Sequence, residues 1–432
     1  MRFLFVLAVM AGAWAQGNDA SSREGIESTG LLEQIKQRVI QDLAGVPNYV
    51  CVDSIERSLW IPGERQFRRL DRMHIEVAHI EGADRFSWLG NSTFNSRNPA
   101  TMVGDGASFG GSFADNRALV FKSNRTRISY AGHVTVNSRP ALRYEYDAPR
   151  AALRLTNGNL SGYTAARGSF WIDPETLELL QIDLEAYAIP SELAVRSTSD
   201  HTMYWRVLIG QRIVLLAQSA DFRLTTEDGI LKRNTSVFST CREYTADSTL
   251  IFGSSPTLQV LPPPVEKPHI QPGLQLQLAL DKTLDSQEAT VGDPIRAHVL
   301  QGDGDIPRGA LVYGRVSRII NFNDYIPSPK PEHPPPRKEA MPGQHSGEVL
   351  IQIEFEQIEY RRRRSPFVAR LIDLESRPGR QDTNVRSFGY LESDAVVRYD
   401  PPGTASVYVS QENAVLGRSV IMQWLTASER LQ

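Results

Sequence analysis

GSFWIDPETLELLQIDLEAY, residues 168–187, decides the fold. Apolar and polar side chains alternate on both sides of Asp173-Pro174-Glu175, which is the period of a strand. Proline presets the backbone angle of a tight turn, so the stretch reads as two antiparallel strands joined there. The pattern continues outward. RISYAGHVTVNSRPALRYEY reads as two strands around an Asn137–Arg139 turn. MYWRVLIGQRIVLL and DFRLTTEDGILKRNTSVFST read as hairpins turning at Gly210 and at Asp228-Gly229. Upstream, Met73, Ile75 and Val77 alternate with His74, Glu76 and Ala78, and Cys51, Ile55, Leu59 and Ile61 share one parity. Residues 49–252 thus form a meander of about ten antiparallel strands, a layer with one apolar and one wet face.

One helix precedes the meander, in STGLLEQIKQRVIQDLAGVP. Leu32, Ile35, Val39 and Leu43 recur at helical spacing, Ser28 or Thr29 caps the start, and Gly45 and Pro47 stop it. Its single apolar stripe packs on the sheet. A proline-dense stretch at 253–273 denies donors to any ladder and reads as a spacer, so residues 28–252 and 274–432 form separate units. In the second, Leu274, Leu276, Leu278 and Leu280 alternate strictly. Strand patterns recur at DPIRAHVL, at a pair in IPRGALVYGRVSRI, and in VLIQIEFEQIEYRRRRSPFVARLIDL. A closing strand and a short helix are expected near the end, and 323–348 reads as a disordered insert. The fold expected is mainly β: a curved antiparallel half-barrel with one long helix, plus a smaller β-barrel or sandwich.

MRFLFVLAVMAGAWA, residues 1–15, has the build of a secretory signal peptide, with a disordered stretch at 16–27. No later apolar run approaches the about 20 residues of a spanning helix. The expected location is periplasmic or secreted, where thiols are oxidised. The chain has two cysteines, Cys51 and Cys241, 190 residues apart. Bridged, they tie the first strand of the meander to the last, and closing so long a loop is worth up to about 5 kcal/mol.

With 47 basic and 50 acidic residues, net charge −3, the chain lacks the basic field of a nucleic-acid binder. Gly106-Ala107-Ser108-Phe109-Gly110 matches G-x-S-x-G, but no strand precedes it and no helix follows, so no nucleophile elbow is expected. The same glycines lack the lysine and helix of a phosphate loop. On a strand, His74 and Glu76 share a face and His79 takes the other, so they cannot converge on a metal; His333 and His345 fall in the insert. No catalytic residue, cofactor or metal is expected. Arg361, Arg362, Arg363 and Arg364 form the densest charge, either a solvated hairpin tip or a contact for anionic lipid or glycan. Phe86, Trp88, Tyr130, Tyr144, Tyr146, Phe170, Trp171, Tyr204 and Trp205 spread over the first unit's strands. They fill the core or line an apolar cleft under the helix; the cleft candidates are Phe86, Trp88, Tyr130, Tyr144, Tyr146 and Trp171.

The order of helix and long meander, with a W-x-D-x-x-T strand–turn–strand followed by leucine (Trp171, Asp173, Thr176, Leu177), resembles the periplasmic lipoprotein-carrier half-barrels and the related domain of the periplasmic anti-sigma-factor regulator. The resemblance covers roughly residues 28–252 and implies an open barrel with a helical lid that binds acyl chains or senses lipoprotein. Val46-Pro47-Asn48-Tyr49-Val50-Cys51 is similar to the L-P-N-Y-x-C start of exported bacterial proteins. Ile306-Pro307 through Gly314 is similar to an I-P-x-G-x-x-x-x-G hairpin of the type IV secretion outer-ring barrel protein. The expected function is binding or sensing in the cell envelope, with a lipid, a lipoprotein or an envelope protein as partner. The alternative is a scaffold that makes protein contacts only, with a hydrolase using Ser108 a distant third.

Overall fold

The structure, a computed structural model, describes residues 18–90, 94, 96, 102, 115–157, 160–244, 270–321, 348–376, 386–387, 403–410, 415–418 and 420–427. The expected signal peptide, Ser108, residues 253–269 of the spacer and residues 323–347 of the insert lie outside them; Glu348, placed in the insert, opens a strand.

Helix α1 spans Asn18–Ala44 and begins ahead of the start expected at Ser28 or Thr29. The stretch expected to be disordered has no proline to break a helix, and Ala20, Arg23, Glu24 and Glu27 are helix formers among its weaker serines and glycines. Ile35 and Val39 are fully buried.

Ten strands follow: β1 Tyr49–Trp60, β2 Arg68–Ile80, β3 Ala83–Trp88, β4 Arg127–Val136, β5 Arg139–Asn157, β6 Leu160–Ile172, β7 Leu179–Tyr187, β8 Val195–Ile209, β9 Arg212–Thr226 and β10 Leu231–Glu243. All pairs are antiparallel, in the order β3-β2-β1-β10-β9-β8-β7-β6-β5-β4, and the sheet curls into a half-barrel. The turns are those the residues demand. Asn137 and Ser138 both take positive φ, 48° and 65°, in the two-residue link from β4 to β5, the geometry that matches strand twist. Gly210 and Gly229 serve the β8–β9 and β9–β10 hairpins with positive φ. At the opening motif, the Asp173 carboxylate accepts from the N–H groups of Glu175 (2.9 Å) and Thr176 (3.1 Å), which holds the corner between β6 and β7.

The strand order has a consequence for the chain path. β1 and β10 meet in the middle, while β3 and β4 are the two rims. The connection from β3 to β4 therefore runs from one rim to the other, and it carries a second helix that the sequence reading did not place, α2 Asp115–Phe121. Cys51 and Cys241 are bonded across the β1–β10 seam, as expected, and Cys51 sits where the register shifts between Val50 and Val52.

The second unit is a nine-stranded antiparallel sheet. Gln275–Leu280, Pro294–Gln301, Leu311–Asn321, Glu348–Tyr360 and Thr404–Ser410 lie side by side in that order, with Val420–Thr426 and Ala369–Ser376 beyond the first of them. Two expectations change. Leu311–Asn321 is one strand rather than a pair, because Gly314 does not turn the chain but stays in the strand, where a Cβ would lie 2.0 Å from the Glu354 carbonyl oxygen of the neighbouring strand. Where a short helix was expected, Val415–Leu416 and Val420–Thr426 are strands, consistent with their β-branched, aromatic make-up. Phe355, Phe367 and Trp424 pack edge to face at this sheet's centre.

The two units share one buried apolar cluster. Beyond the end of β3, the free edge of β2 is covered by the loop 290–293: His74 N–H donates to the Val291 carbonyl (2.9 Å), and Val291 N–H donates to that of Arg72 (2.8 Å). Such pairing hides an edge that would otherwise be open to other strands. Gly292 (φ +95°) fits there because a Cβ would lie 2.5 Å from the His74 carbonyl oxygen and 2.7 Å from the Trp88 ring. His74 also faces the Asp293 carboxylate at 3.3 Å.

Candidate functional site

Directly paired residues of neighbouring strands project to the same face, so the register shows which side chains lie beneath the helices. Phe121 of α2 touches Phe170 of β6 edge to face (centroids 4.9 Å). Phe170 pairs with Tyr144 on one side and Ile182 on the other; the row continues through Thr202, Ala220, Ser236 and Ile55. This row marks the helix-covered face from β5 to β1.

Of the six cleft candidates, five lie on it. Tyr144 stacks on Phe170 (5.1 Å, 6° between planes), Tyr130 meets Tyr144 at 5.3 Å, and Tyr146 is tilted against Phe170 at 6.5 Å. Phe86 and Trp88 share the face but sit on β3, at the other rim; Trp88 lies under the Arg315 guanidinium of the second unit (5.3 Å). Trp171 is the exception. It pairs with Arg143 and carries that guanidinium at 6.0 Å on the uncovered face. Neighbouring residues on a strand point oppositely, and Phe170 takes the inward place.

The aromatic group makes a wall, and α2 is its plug. Phe121 packs on the wall through Phe170, Leu119 and Val120 are buried in the same core, and Thr126 closes the helix by donating to the Leu119 carbonyl (3.0 Å). Gly168 gives room for the wall: a Cβ there would lie 1.9 Å from the Asp183 carbonyl oxygen, to which the Tyr146 hydroxyl donates at 3.0 Å.

Farther along the same face the lining turns polar, which the sequence reading missed. Asn116 of α2 donates to Asp200 (2.8 Å) and lies 3.4 Å from the Thr202 hydroxyl. Burial lifts the Asp200 carboxyl to about 6, although the hydrogen bonds from Asn116 and Thr202 pull it down. Arg117, 1% exposed, donates to the Leu215 carbonyl (2.8 Å), and its guanidinium lies over the Tyr204 ring (5.3 Å). On β1, Asp53 and Arg57 share the parity of Cys51 and Ile55. Arg57 is buried and paired with Asp71. Burial pushes the Asp53 carboxyl up to about 8 against the hydrogen bond from Ser236. The signal was present for β1 and β8, since polar residues repeat at the spacing of the apolar ones: Asp53 and Arg57 among Cys51, Ile55 and Leu59, and Thr198, Asp200 and Thr202 leading to Tyr204.

The remaining candidates lie apart. His74 faces Asp293, Glu76 accepts from Arg242 (2.8 Å), and His79 lies 2.7 Å from Asp84. At the arginine hairpin, Arg361 and Arg362 form the turn with positive φ and Arg363 begins the return strand. Arg364 lies 2.7 Å from Glu359 and over the Tyr313 ring at 4.7 Å; Arg361 lies 3.9 Å from Asp305.

A curled antiparallel sheet whose concave side is closed by helices, half aromatic and half polar beneath them, defines a lidded β half-barrel. No protein-family model and no curated protein matches the chain. Similar solved structures include a domain provisionally assigned to outer membrane lipoprotein sorting from Vibrio parahaemolyticus (14% identity, 50% of this chain, 93% of that chain, TM-score 0.28). A DUF1329 family protein from Desulfovibrio piger shares 13% identity over 51% of this chain and 94% of its own (TM-score 0.25). A LolA superfamily protein from Nitrosomonas europaea shares 8% over 49% and 94% (TM-score 0.26). Among the described residues no helix is long and apolar enough to cross a membrane.

Proposed function

We propose that this chain is a cell-envelope binding protein, and not an enzyme, that takes an acyl chain of a lipid or lipoprotein between the aromatic wall and α2. The observation that carries this reading is the build of the plug. Seven residues, Asp115–Phe121, bury three apolar side chains in the core that holds Tyr144 and Phe170, and Phe121 meets the Phe170 ring edge to face. A short helix has little stability of its own, so its hold depends on that packing and on the hydrogen bonds of Asn116 and Arg117. An alkyl chain offers the wall the same chemistry as Leu119, Val120 and Phe121, and can replace them.

The test is uptake of a hydrophobic dye by the purified protein and its displacement by oleate, with mass spectrometry of lipids extracted from protein isolated out of its own envelope. Saturable uptake and displacement are expected. No uptake, or uptake that oleate leaves unchanged, refutes the reading. One observation favours the scaffold alternative: Leu208 and Ile213 pair across the β8–β9 hairpin, each 63% exposed, with Trp205 55% exposed on the same hairpin. A dye-negative protein that recovers an envelope partner through this hairpin would decide for it.

A further inference from the structure

We infer that the Arg117 guanidinium receives the anionic headgroup of the ligand, so that the bound molecule is an anionic amphiphile rather than a neutral lipid. This rests on the acyl-chain reading above and names its substrate class.

Arg117 is a buried cation. Among the described residues no carboxylate pairs with it, and its Nε–H has no acceptor. A lone buried charge is strongly unfavourable, and one carbonyl and one aromatic face offset only part of that. The group beside it is short of the same thing. The Tyr204 ring lies under the guanidinium, and its buried hydroxyl has no partner among the described residues. Burial holds its ionisation well above the usual phenol range, so at neutral pH it remains an O–H donor. Two donors of one stacked pair thus lack acceptors, and because one of them carries a positive charge, what is missing is an oxygen carrying negative charge; Asn116 Oδ1, also unpartnered, is a neutral acceptor and does not supply it. Carboxylate and phosphate oxygens match the guanidinium fork. Asp200, in the same layer, does not fill the role, because Asn116 and Thr202 engage its oxygens.

The position relative to the wall fixes the rest of the molecule. Leu119, Val120 and Phe121 follow Arg117 within one turn of α2. A ligand whose headgroup reaches Arg117 therefore has its chain at the place where the plug meets Phe170 and Tyr144. The anion site and the apolar site lie under one helix and open together.

The test compares oleate with oleyl alcohol by titration calorimetry on the full-length mature protein, with inorganic phosphate as a chain-free competitor. The wild type is expected to bind oleate at least tenfold more tightly than the alcohol. Arg117→Gln should bring the two within about twofold, and Arg117→Lys should keep part of the difference. Phosphate at millimolar concentration should not displace oleate. Equal affinities in the wild type mean that a buried water serves Arg117, and they overturn the inference while the acyl-chain reading stands. Discrimination that survives in Arg117→Gln also overturns it. Displacement by phosphate identifies a free anion as occupant and overturns the amphiphile assignment. Should Arg117→Gln not fold, the wild-type comparison and Arg117→Lys decide. Absence of binding by both chain ligands ends the acyl-chain reading, and this inference with it.

Discussion

Replacing Asp53 by asparagine should make the protein more stable at neutral pH, and increasingly so as pH rises. Asp53 sits on the covered face of β1, two residues from the disulfide. One carboxylate oxygen has no partner, and burial raises the folded-state value from 3.8 to about 8, against a hydrogen bond from Ser236. Between those values the folded protein keeps a proton that the unfolded chain releases. The sign follows from linkage: stability falls as pH rises, by about 1.4 kcal/mol per pH unit, over the window from about 4 to about 8. By pH 7.5 the accumulated loss is about 5 kcal/mol, an upper figure because local relaxation reduces it. Asparagine is neutral in both states and removes this loss, while its own buried amide costs about 2 kcal/mol. The net gain at pH 7.5 is then about 3 kcal/mol, and near pH 4 the variant is the less stable of the two. Urea unfolding of both proteins from pH 4.5 to 8, followed by circular dichroism, reads the difference directly. Parallel stability profiles would refute the reasoning, since they would mean that Asp53 is ionised in the native protein.

Three further perturbations test other parts of the structure. Cys51→Ala and Cys241→Ala should each lower stability by a similar amount, up to about 5 kcal/mol, and unequal losses in thermal unfolding would argue against a shared bridge. Asp173→Ala should cost about 1–2 kcal/mol by releasing the two N–H groups at the β6–β7 corner. Burial tends to raise the Asp173 carboxyl, but those N–H groups and Arg139 hold it lowered overall. Its contribution is therefore present above the unfolded-state value and lost as pH falls through the folded one, so acid unfolding of the variant should show a shallower pH dependence. Gly292→Val should detach loop 290–293 from β2 without unfolding either sheet; faster proteolysis at the joint with unchanged secondary structure is expected, and wild-type resistance would show that the loop can shift.

The strands were legible because alternation and turn residues agree: Asn137, Asp173, Gly210 and Gly229 all stand at the corners the structure uses. The β1–β10 pairing was legible only through the two cysteines, since nothing in either strand names its neighbour. Helix α2 was not legible. Seven residues are too few for a helical period to declare itself, and its arginine is of a type that ordinarily stays at the surface. Trp171 shows another limit. In Phe170-Trp171 the two aromatics must face opposite ways; Ile172, buried like Phe170, shares its face, while Ser169 and Asp173 share that of Trp171, so the alternation held the answer that residue type alone concealed.

The seam between β1 and β10 governs how the first unit can be assembled. A ribosome delivers β1 early, yet the neighbour that completes it at the centre, paired from Tyr49↔Glu243 to Trp60↔Leu231, is delivered last. Until then the emerging polypeptide holds two incomplete ribbons with no finished middle, and contacts of such long sequence separation form slowly. The local hairpins on either side can form first, so closing this seam is the step that joins them into one curved layer.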